Sequence, residues 1–243
     1  MRIDLPGLGI GRTGGVSAPF NAAAVTSAST ALWLDPSYSG NTIVSSAFSA
    51  MADRSGNGRN FTQGTPGSRP ATSTIAGRLA ASFDGVAQYL SGPSLSALTA
   101  AEIFVILQST AATNGLWRMN SDATAMSVYP TGGLLYDGAG STTRRMENQA
   151  PGTDITVPHL YNVTSIAGEW TGRINGTQIF TTGANTVGFD AAGTLLGVSA
   201  TAFASPSLFF AGKYGALVVF NAKLSAGDRA YVTSALKKDW GIA

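Results

Sequence analysis

Carboxylates are the first residues of this 243-residue sequence that could carry chemistry, because hydrolysis of a glycosidic bond needs two of them. In a retaining enzyme the two groups lie about 5–5.5 Å apart. The chain has three glutamates, Glu102, Glu147 and Glu169. None of them has a second acid close by at the spacing of a catalytic strand motif. The aspartates Asp35, Asp53, Asp84 and Asp137 could meet only in space, and for each we favour a turn-capping role.

Nucleophilic and metal chemistry have even fewer residues to use. His159 is the single histidine, it follows Pro158, and no Gly-x-Ser-x-Gly sequence accompanies it. We interpret it as a histidine at the entrance of a strand. The chain has no cysteine, which excludes disulfides, thiol catalysis and thiolate metal ligands. We therefore predict no catalytic residue, no metal site and no cofactor.

Two short motifs look like ligand sites. Residues 9–14 satisfy Gly-x-Gly-x-x-Gly, but a dinucleotide site needs a strand before the glycines and a helix after them. Pro6 and Pro19 flank this stretch, so we interpret the match as chance. Residues 53–58, Asp-Arg-Ser-Gly-Asn-Gly, copy the start of a calcium loop, but Gly64 occupies its twelfth position. An Asx turn is the favoured interpretation of this loop.

Composition limits the class of protein. Only 12% of the residues are charged, about half the usual share, and the formal net charge is +2. The longest apolar runs have about five residues, whereas a membrane span needs roughly 20. The basic pairs Arg144-Arg145 and Lys237-Lys238 are isolated, so we expect neither nucleic acid nor membrane as a partner. The first residues contain no apolar segment, and we expect no classical export.

The elements that must position these residues divide the chain into three regions. Residues 1–30 are rich in glycine and predict an extended arm that lies against its own domain or a neighbouring subunit. In an assembly the expected anchors of the arm are Ile3, Leu5, Leu8 and Ile10. Residues 31–222 read as short strands separated by turns. The predicted strands are 31–34, 79–83, 103–108, 115–119, 126–129, 134–136, 160–164, 169–174, 178–182, 194–198, 207–210 and 214–220.

The local signals are clearest near the carboxyl end. Asn175-Gly176 between two strands predicts a hairpin with a type I′ turn. Residues 225–240 predict one helix, capped by Ser225 and ended by Gly241. The sequence patterns therefore predict an all-β sandwich or barrel over 31–243, with an N-terminal arm and a C-terminal helix.

Several landmarks in order carry a resemblance to a known family. They are Leu-Trp-Leu-Asp-Pro at 32–36, the stretch 53–63, Arg-Pro at 69–70, Phe-Asp-Gly at 83–85, Tyr-Leu at 89–90, the hairpin at 170–180, Gly-Ala-Leu-Val-Val-Phe at 215–220, Leu-Ser at 224–225 and Lys-Asp-Trp-Gly-Ile at 238–242. Residues 31–242 thus resemble the laminin-G-like, concanavalin A-like lectin/glucanase jelly rolls of bacterial surface and bacteriophage proteins. The resemblance implies an all-β, two-sheet antiparallel jelly-roll sandwich over 31–243, with sheets of about six or seven strands, after the extended N-terminal arm and with the one C-terminal helix. It leaves calcium binding open, since some laminin-G-like relatives bind calcium.

The resemblance does not imply one function. Glucanases of this superfamily carry a Glu-x-Asp-x-x-Glu strand motif, which is missing here, so we expect no enzyme. Our main prediction is a non-enzymatic virion structural protein, a bacteriophage capsid-decoration, fibre or tail-associated subunit. It would be located in the virion and assembled in the host cytoplasm, with other virion subunits as partners and a homo-oligomeric state.

The alternative is a lectin-like module that binds a glycan at the cell surface. Its candidate contacts are Trp117, Tyr129 and Tyr136, which lie near glycine-rich turns and offer flat apolar faces. A core position for these three rings is the competing interpretation. A glycoside hydrolase is the third hypothesis.

Overall fold

The computed structural model describes residues 19–110, 112, 114–122 and 126–243. The predicted anchors Ile3, Leu5, Leu8 and Ile10 lie outside the described residues. The strands are β1 Thr30–Leu34, β2 Thr42–Val44, β3 Ala47–Met51, β4 Phe61–Thr62, β5 Ala71–Ile75, β6 Arg78–Asp84, β7 Leu90–Gly92, β8 Ala101–Ser109, β9 Trp117–Arg118, β10 Val128–Thr131, β11 Leu134–Asp137, β12 Met146–Gln149, β13 His159–Ile166, β14 Glu169–Ile174, β15 Thr177–Thr182, β16 Thr194–Leu196, β17 Val198–Ala202, β18 Ser205–Phe209 and β19 Ala211–Phe220. The helices are α1, Ala226–Asp239, and two 3₁₀ turns, Ala22–Ala24 and Pro66–Ser68.

All of the strand pairs are antiparallel. The largest sheet has 14 strands and runs β15-β14-β13-β8-β19-β6-β5-β3-β4-β7-β16-β9, with β1 added to β19 and β2 added to β3. Strands β10-β11-β12 and β17-β18 form two smaller sheets. The protein is therefore an all-β sandwich with one helix near the carboxyl end, and the predicted fold class is confirmed.

Strand β19 is the centre of the fold. It pairs with β8 on one side, and on the other side its first half pairs with β6 and its second half with β1. Successive side chains of a strand point to opposite faces. Leu217 and Val219 accordingly enter the main core, whereas Ala216, Val218 and Phe220 enter a second core. This explains the uninterrupted apolar run at 216–220, because both faces of the strand are buried.

Helix α1 covers the second core. Its buried residues Val232 and Leu236, with Trp240 at the C-cap, pack on one face of the large sheet, where Phe104, Ile106 and Leu160 belong to the same core. The predicted boundaries are confirmed: the Ser225 side chain accepts from the Asp228 N–H, and Gly241 follows the helix with a φ of 61°. Among the described residues no helix is long and apolar enough to cross a bilayer.

The predicted hairpin is also confirmed. Ile174 pairs with Thr177 across the turn, and Asn175 and Gly176 both have positive φ angles, 52° and 88°. A type I′ turn requires positive φ at both central positions, and asparagine and glycine adopt this conformation most easily.

The cap of α1 is a testable local feature. Replacing Ser225 by alanine should lower the free energy of unfolding by about 1 kcal/mol, because the Asp228 N–H loses its acceptor. Urea denaturation monitored by circular dichroism measures this change. The Ser225→Asp variant keeps a capping oxygen and should retain most of the stability; equal losses in both variants would contradict the capping role.

Candidate functional site

Two of the predicted glycan contacts lie in the core. Trp117 has 0% of its surface exposed and Tyr129 has 1%, so neither ring can stack on a sugar and this prediction is wrong. Both pack on Tyr161, with ring centres 5.9 and 5.0 Å away. The physical reason is their large apolar area, which the interior of the sandwich buries.

Tyr136 is the member of the predicted set that lies at the surface. It is half-buried on β11, and its hydroxyl donates to the side-chain oxygen of Asn148. The Arg144 guanidinium lies 5.4 Å from the ring centre, in a cation–π contact. Unlike Trp117 and Tyr129, Tyr136 thus keeps a surface position, with contacts to Asn148 and Arg144.

Asp137 is a fully buried carboxylate with several hydrogen-bond donors around it. Its Oδ1 accepts from Trp117 Nε1 at 3.0 Å and from the Ser127 hydroxyl at 2.6 Å, and its Oδ2 accepts from the Tyr161 hydroxyl at 2.9 Å. The N–H groups of Gly138 and Ala139 also donate to Oδ1. Burial raises the pKa of Asp137, and these hydrogen bonds oppose the shift. This arrangement holds the core together.

His159 stands at the start of β13, as predicted, and is fully buried. Its Nδ1 faces the Val157 carbonyl at 2.9 Å, so this nitrogen carries the proton and donates. Its Nε2 accepts from the Tyr129 hydroxyl at 2.8 Å. Burial lowers the pKa of His159 to about 4, and the imidazole is therefore neutral at pH 7.

The Asp53 loop is an Asx turn, in agreement with the favoured interpretation. Asp53 Oδ1 accepts from the N–H of Ser55 and from the N–H of Trp33, and Oδ2 accepts from the N–H of Arg59. Its oxygens thus tie the loop to β1. Within the described part of the chain, no three histidine, aspartate or glutamate side chains gather as a metal site would require.

A surface pocket of about 400 Å³ brings together aromatic and charged side chains, and this size is within the usual range for small-molecule sites. Strand β1 supplies Trp33, and Asp35 and Ser37 follow it. Arg54 comes from the loop after β3, Arg78 begins β6, and Asp239 ends α1. We call this site the Trp33 pocket; it is lined by Pro19, Phe20, Trp33, Asp35, Ser37, Arg54, Arg78, Ala216, Leu236, Asp239 and Trp240.

Asp35 organises the charges of the Trp33 pocket. It is 1% exposed, and its Oδ2 lies 2.7 Å from both Arg54 Nη1 and Arg78 Nη2. Arg78 also approaches Asp239 at 3.9 Å. Two carboxylates thus face two guanidinium groups, and the formal charges of the pocket cancel. The Arg54 side chain remains 32% exposed, so it can still donate to a ligand.

Aromatic rings form the apolar part of the pocket. The Arg54 guanidinium lies 4.0 Å from the Trp33 ring centre, and the Phe20 ring contacts Trp33 edge-on at 5.2 Å. Arg78 lies 4.8 Å from the ring centre of Trp240. The Nε1 of Trp33 and the Nε of Arg78 are buried and have no acceptor among the described residues. A pocket with stacked guanidinium groups and spare N–H donors suits a ligand that carries several hydroxyl groups.

Sequence reasoning missed this site. The alternation along β1 nevertheless contains part of the necessary signal. Leu32 and Leu34 enter the main core, so Trp33 and Asp35 must point to the opposite face. No sequence pattern joins them to Arg54 or Arg78, which arrive through the pairing of distant strands.

Comparison with known proteins finds structures with a similar fold but no protein related in sequence. No protein-family model matches the chain, and no curated protein matches it significantly. Domain 4 of AbnA, a GH43 extracellular arabinanase from Geobacillus stearothermophilus solved in complex with arabinotriose, is similar with a TM-score of 0.57 and 15% identity. The match covers 86% of this chain and 99% of that domain.

Two further solved structures share the fold. Trypanosoma rangeli sialidase in complex with the inhibitor DANA has a TM-score of 0.61 and 12% identity over 94% of this chain. A mutant GH54 α-L-arabinofuranosidase has a TM-score of 0.56 and 14% identity over 80% of this chain. The chain spans 36% of the sialidase and 51% of the arabinofuranosidase. At this identity the likeness establishes a shared β-sandwich fold.

These comparisons correct two predictions. The main prediction of a virion structural protein is wrong, because the similar structures belong to carbohydrate-active enzymes. The prediction that the chain is not an enzyme is contradicted as well, because glycoside hydrolases are among the structures with this fold. Both predictions rested on the absence of one strand motif, and that absence does not by itself exclude carbohydrate chemistry on this fold.

Proposed function

We propose that this chain is a glycan-binding module of the laminin-G-like, concanavalin A-like lectin type, and that the Trp33 pocket holds the saccharide. The observation that carries the proposal is the Trp33 pocket itself, an aromatic surface pocket with paired arginines and aspartates. The fold supports it, since a domain of matching size was solved with a bound trisaccharide. The cancelled charges of the pocket favour a neutral saccharide.

The chemistry of the pocket fits sugar recognition. Sugar hydroxyls both donate and accept, and they bind well where guanidinium donors stand beside carboxylate acceptors. Arg54 and Arg78 supply the donors, and Asp35 fixes them in place from a buried position. The half-buried Trp33 ring supplies apolar surface for the C–H groups of the sugar.

The test is a titration of the full chain with neutral oligosaccharides, including arabinotriose, followed by calorimetry and tryptophan fluorescence. Trp33→Ala should weaken the binding at least about tenfold, because the pocket loses its main aromatic surface. Arg54→Gln keeps the ring and should weaken the binding as well.

The matched control is Tyr136→Ala, which removes a surface aromatic residue outside the Trp33 pocket and should leave the affinity unchanged. Thermal unfolding shows whether each variant is folded. The proposal fails if no neutral oligosaccharide binds, or if Tyr136→Ala removes binding while Trp33→Ala does not. If the wild-type chain released new reducing ends from an oligosaccharide, it would be a hydrolase and the proposal of a binding module would be wrong.

A further inference from the structure

A second groove lies on the other side of α1, away from the Trp33 pocket. It has a volume of about 750 Å³ and is formed where α1 faces the Asn175-Gly176 turn. No residue is shared between the two sites. We call it the α1 groove; it is lined by Asn175, Gly176, Ala226, Arg229, Ala230, Thr233, Ser234, Lys237, Lys238, Ile242 and Ala243.

The side chains of the α1 groove are cationic and polar on an apolar base. No aspartate or glutamate side chain lines it, whereas three cationic side chains do. Arg229 Nη2 donates to Oε2 of the buried Glu102 at 2.9 Å, so the Glu102 carboxylate compensates the charge of Arg229. Lys237 adds a positive charge that no aspartate or glutamate side chain of the groove lining offsets.

Uncharged polar and apolar groups also line the α1 groove. Asn175 uses its Oδ1 to accept from the Leu160 N–H, which orients the amide and leaves its NH₂ group as a donor. Thr233 and Ser234 present hydroxyl groups, and Ala226, Ala230 and Ile242 present small apolar surfaces. A pyranose ring with one carboxylate has the complementary features: an apolar face, several hydroxyls and one negative charge.

We propose that the α1 groove binds a carboxylate-bearing sugar unit, with Lys237 pairing with its carboxylate. This site differs from the neutral Trp33 pocket in charge, position and residues. A chain with both sites would bind two different sugar units of a mixed glycan. Because the sites share no residue, a substitution could abolish binding at one of them and leave the other intact.

The test uses glucuronate and glucose as a matched pair of probes, with backbone NMR shifts of the full chain as readout. Glucuronate should shift the resonances of Asn175, Thr233 and Lys237, and glucose at the same concentration should not. Lys237→Glu should weaken glucuronate binding at least about tenfold, because the pairing charge is reversed.

Two control variants isolate this site. Lys213→Glu makes the same charge change on β19, outside the groove lining, and should weaken binding less than about twofold. Trp33→Ala should leave glucuronate binding intact, so failure of the neutral site and failure of this one are distinguishable. The proposal is overturned if glucuronate does not bind, if glucose shifts the same resonances, or if Lys213→Glu weakens binding as much as Lys237→Glu.

Discussion

Replacement of Asp137 by alanine should lower the free energy of unfolding by about 3–5 kcal/mol, because several buried donors lose their acceptor at once; this is the largest effect that we expect from one side chain. The carboxylate accepts five hydrogen bonds, and three of the donors are the side chains of Trp117, Ser127 and Tyr161. Its removal leaves all of these donors in the core without an acceptor, and each unpaired buried donor carries a desolvation cost. Urea denaturation at pH 7 measures the change.

Two milder variants separate the charge from the hydrogen bonds. Asp137→Asn keeps the shape and one acceptor oxygen, so it should cost less than the alanine variant. Tyr161→Phe removes one donor and leaves the carboxylate with four, so a loss of about 1 kcal/mol is expected. If Asp137→Ala lowers the stability by less than the single Tyr161→Phe change, the network does not stabilise the core.

The second large effect is a loss of stability at acid pH, which we attribute to His159. Its pKa is about 4 in the folded chain, against an ordinary value of 6.5. Between these values the unfolded chain binds a proton that the folded chain does not, so stability falls as the pH falls from 6.5 to about 4. The shift corresponds to about 3 kcal/mol over the whole interval.

The measurement is the difference between the wild type and His159→Gln at several pH values from 7 to 4. Glutamine has no titration here and retains an acceptor for the Tyr129 hydroxyl. Asp137 acts in the opposite direction, because its raised pKa lets the folded chain keep a proton more readily than the unfolded chain. The wild type and the His159→Gln variant both contain Asp137, so its contribution cancels in the difference between their stabilities. Parallel stability curves for the two chains would contradict a buried neutral His159.

The two proposed ligand sites share one element. Helix α1 provides Asp239 and Leu236 to the Trp33 pocket and Thr233 and Lys237 to the α1 groove. The helix is anchored to the segment before β1, since Asp239 accepts from the Phe20 N–H at 2.7 Å and Asp228 accepts from the Ser27 N–H at 2.8 Å. Both sites are thus built on a fixed helix, which limits the loss of side-chain freedom on binding.

The sequence predicted well the elements whose signals are local. The turn at Asn175-Gly176 and the cap at Ser225 depend on residues a few positions apart, and strands such as β8 and β19 carry long apolar runs. Strands β2, β3 and β5 were not predicted, because their serine, threonine and alanine residues give weak alternation. These strands are defined by hydrogen bonds to neighbouring strands, β2 to β3 and β5 to β6, and not by an apolar pattern of their own.

The sequence by itself determined the all-β class, the hairpin and the C-terminal helix of this protein. Only the tertiary structure decided which aromatic residues are buried and which line a surface pocket: Trp117 lies in the core, whereas Trp33 lines a pocket with Arg54 and Arg78. The physical reason is that turns and caps take their free energy from neighbouring residues. Burial and pocket charge depend instead on strand pairings such as that of β1 with β19, across almost 190 positions of sequence.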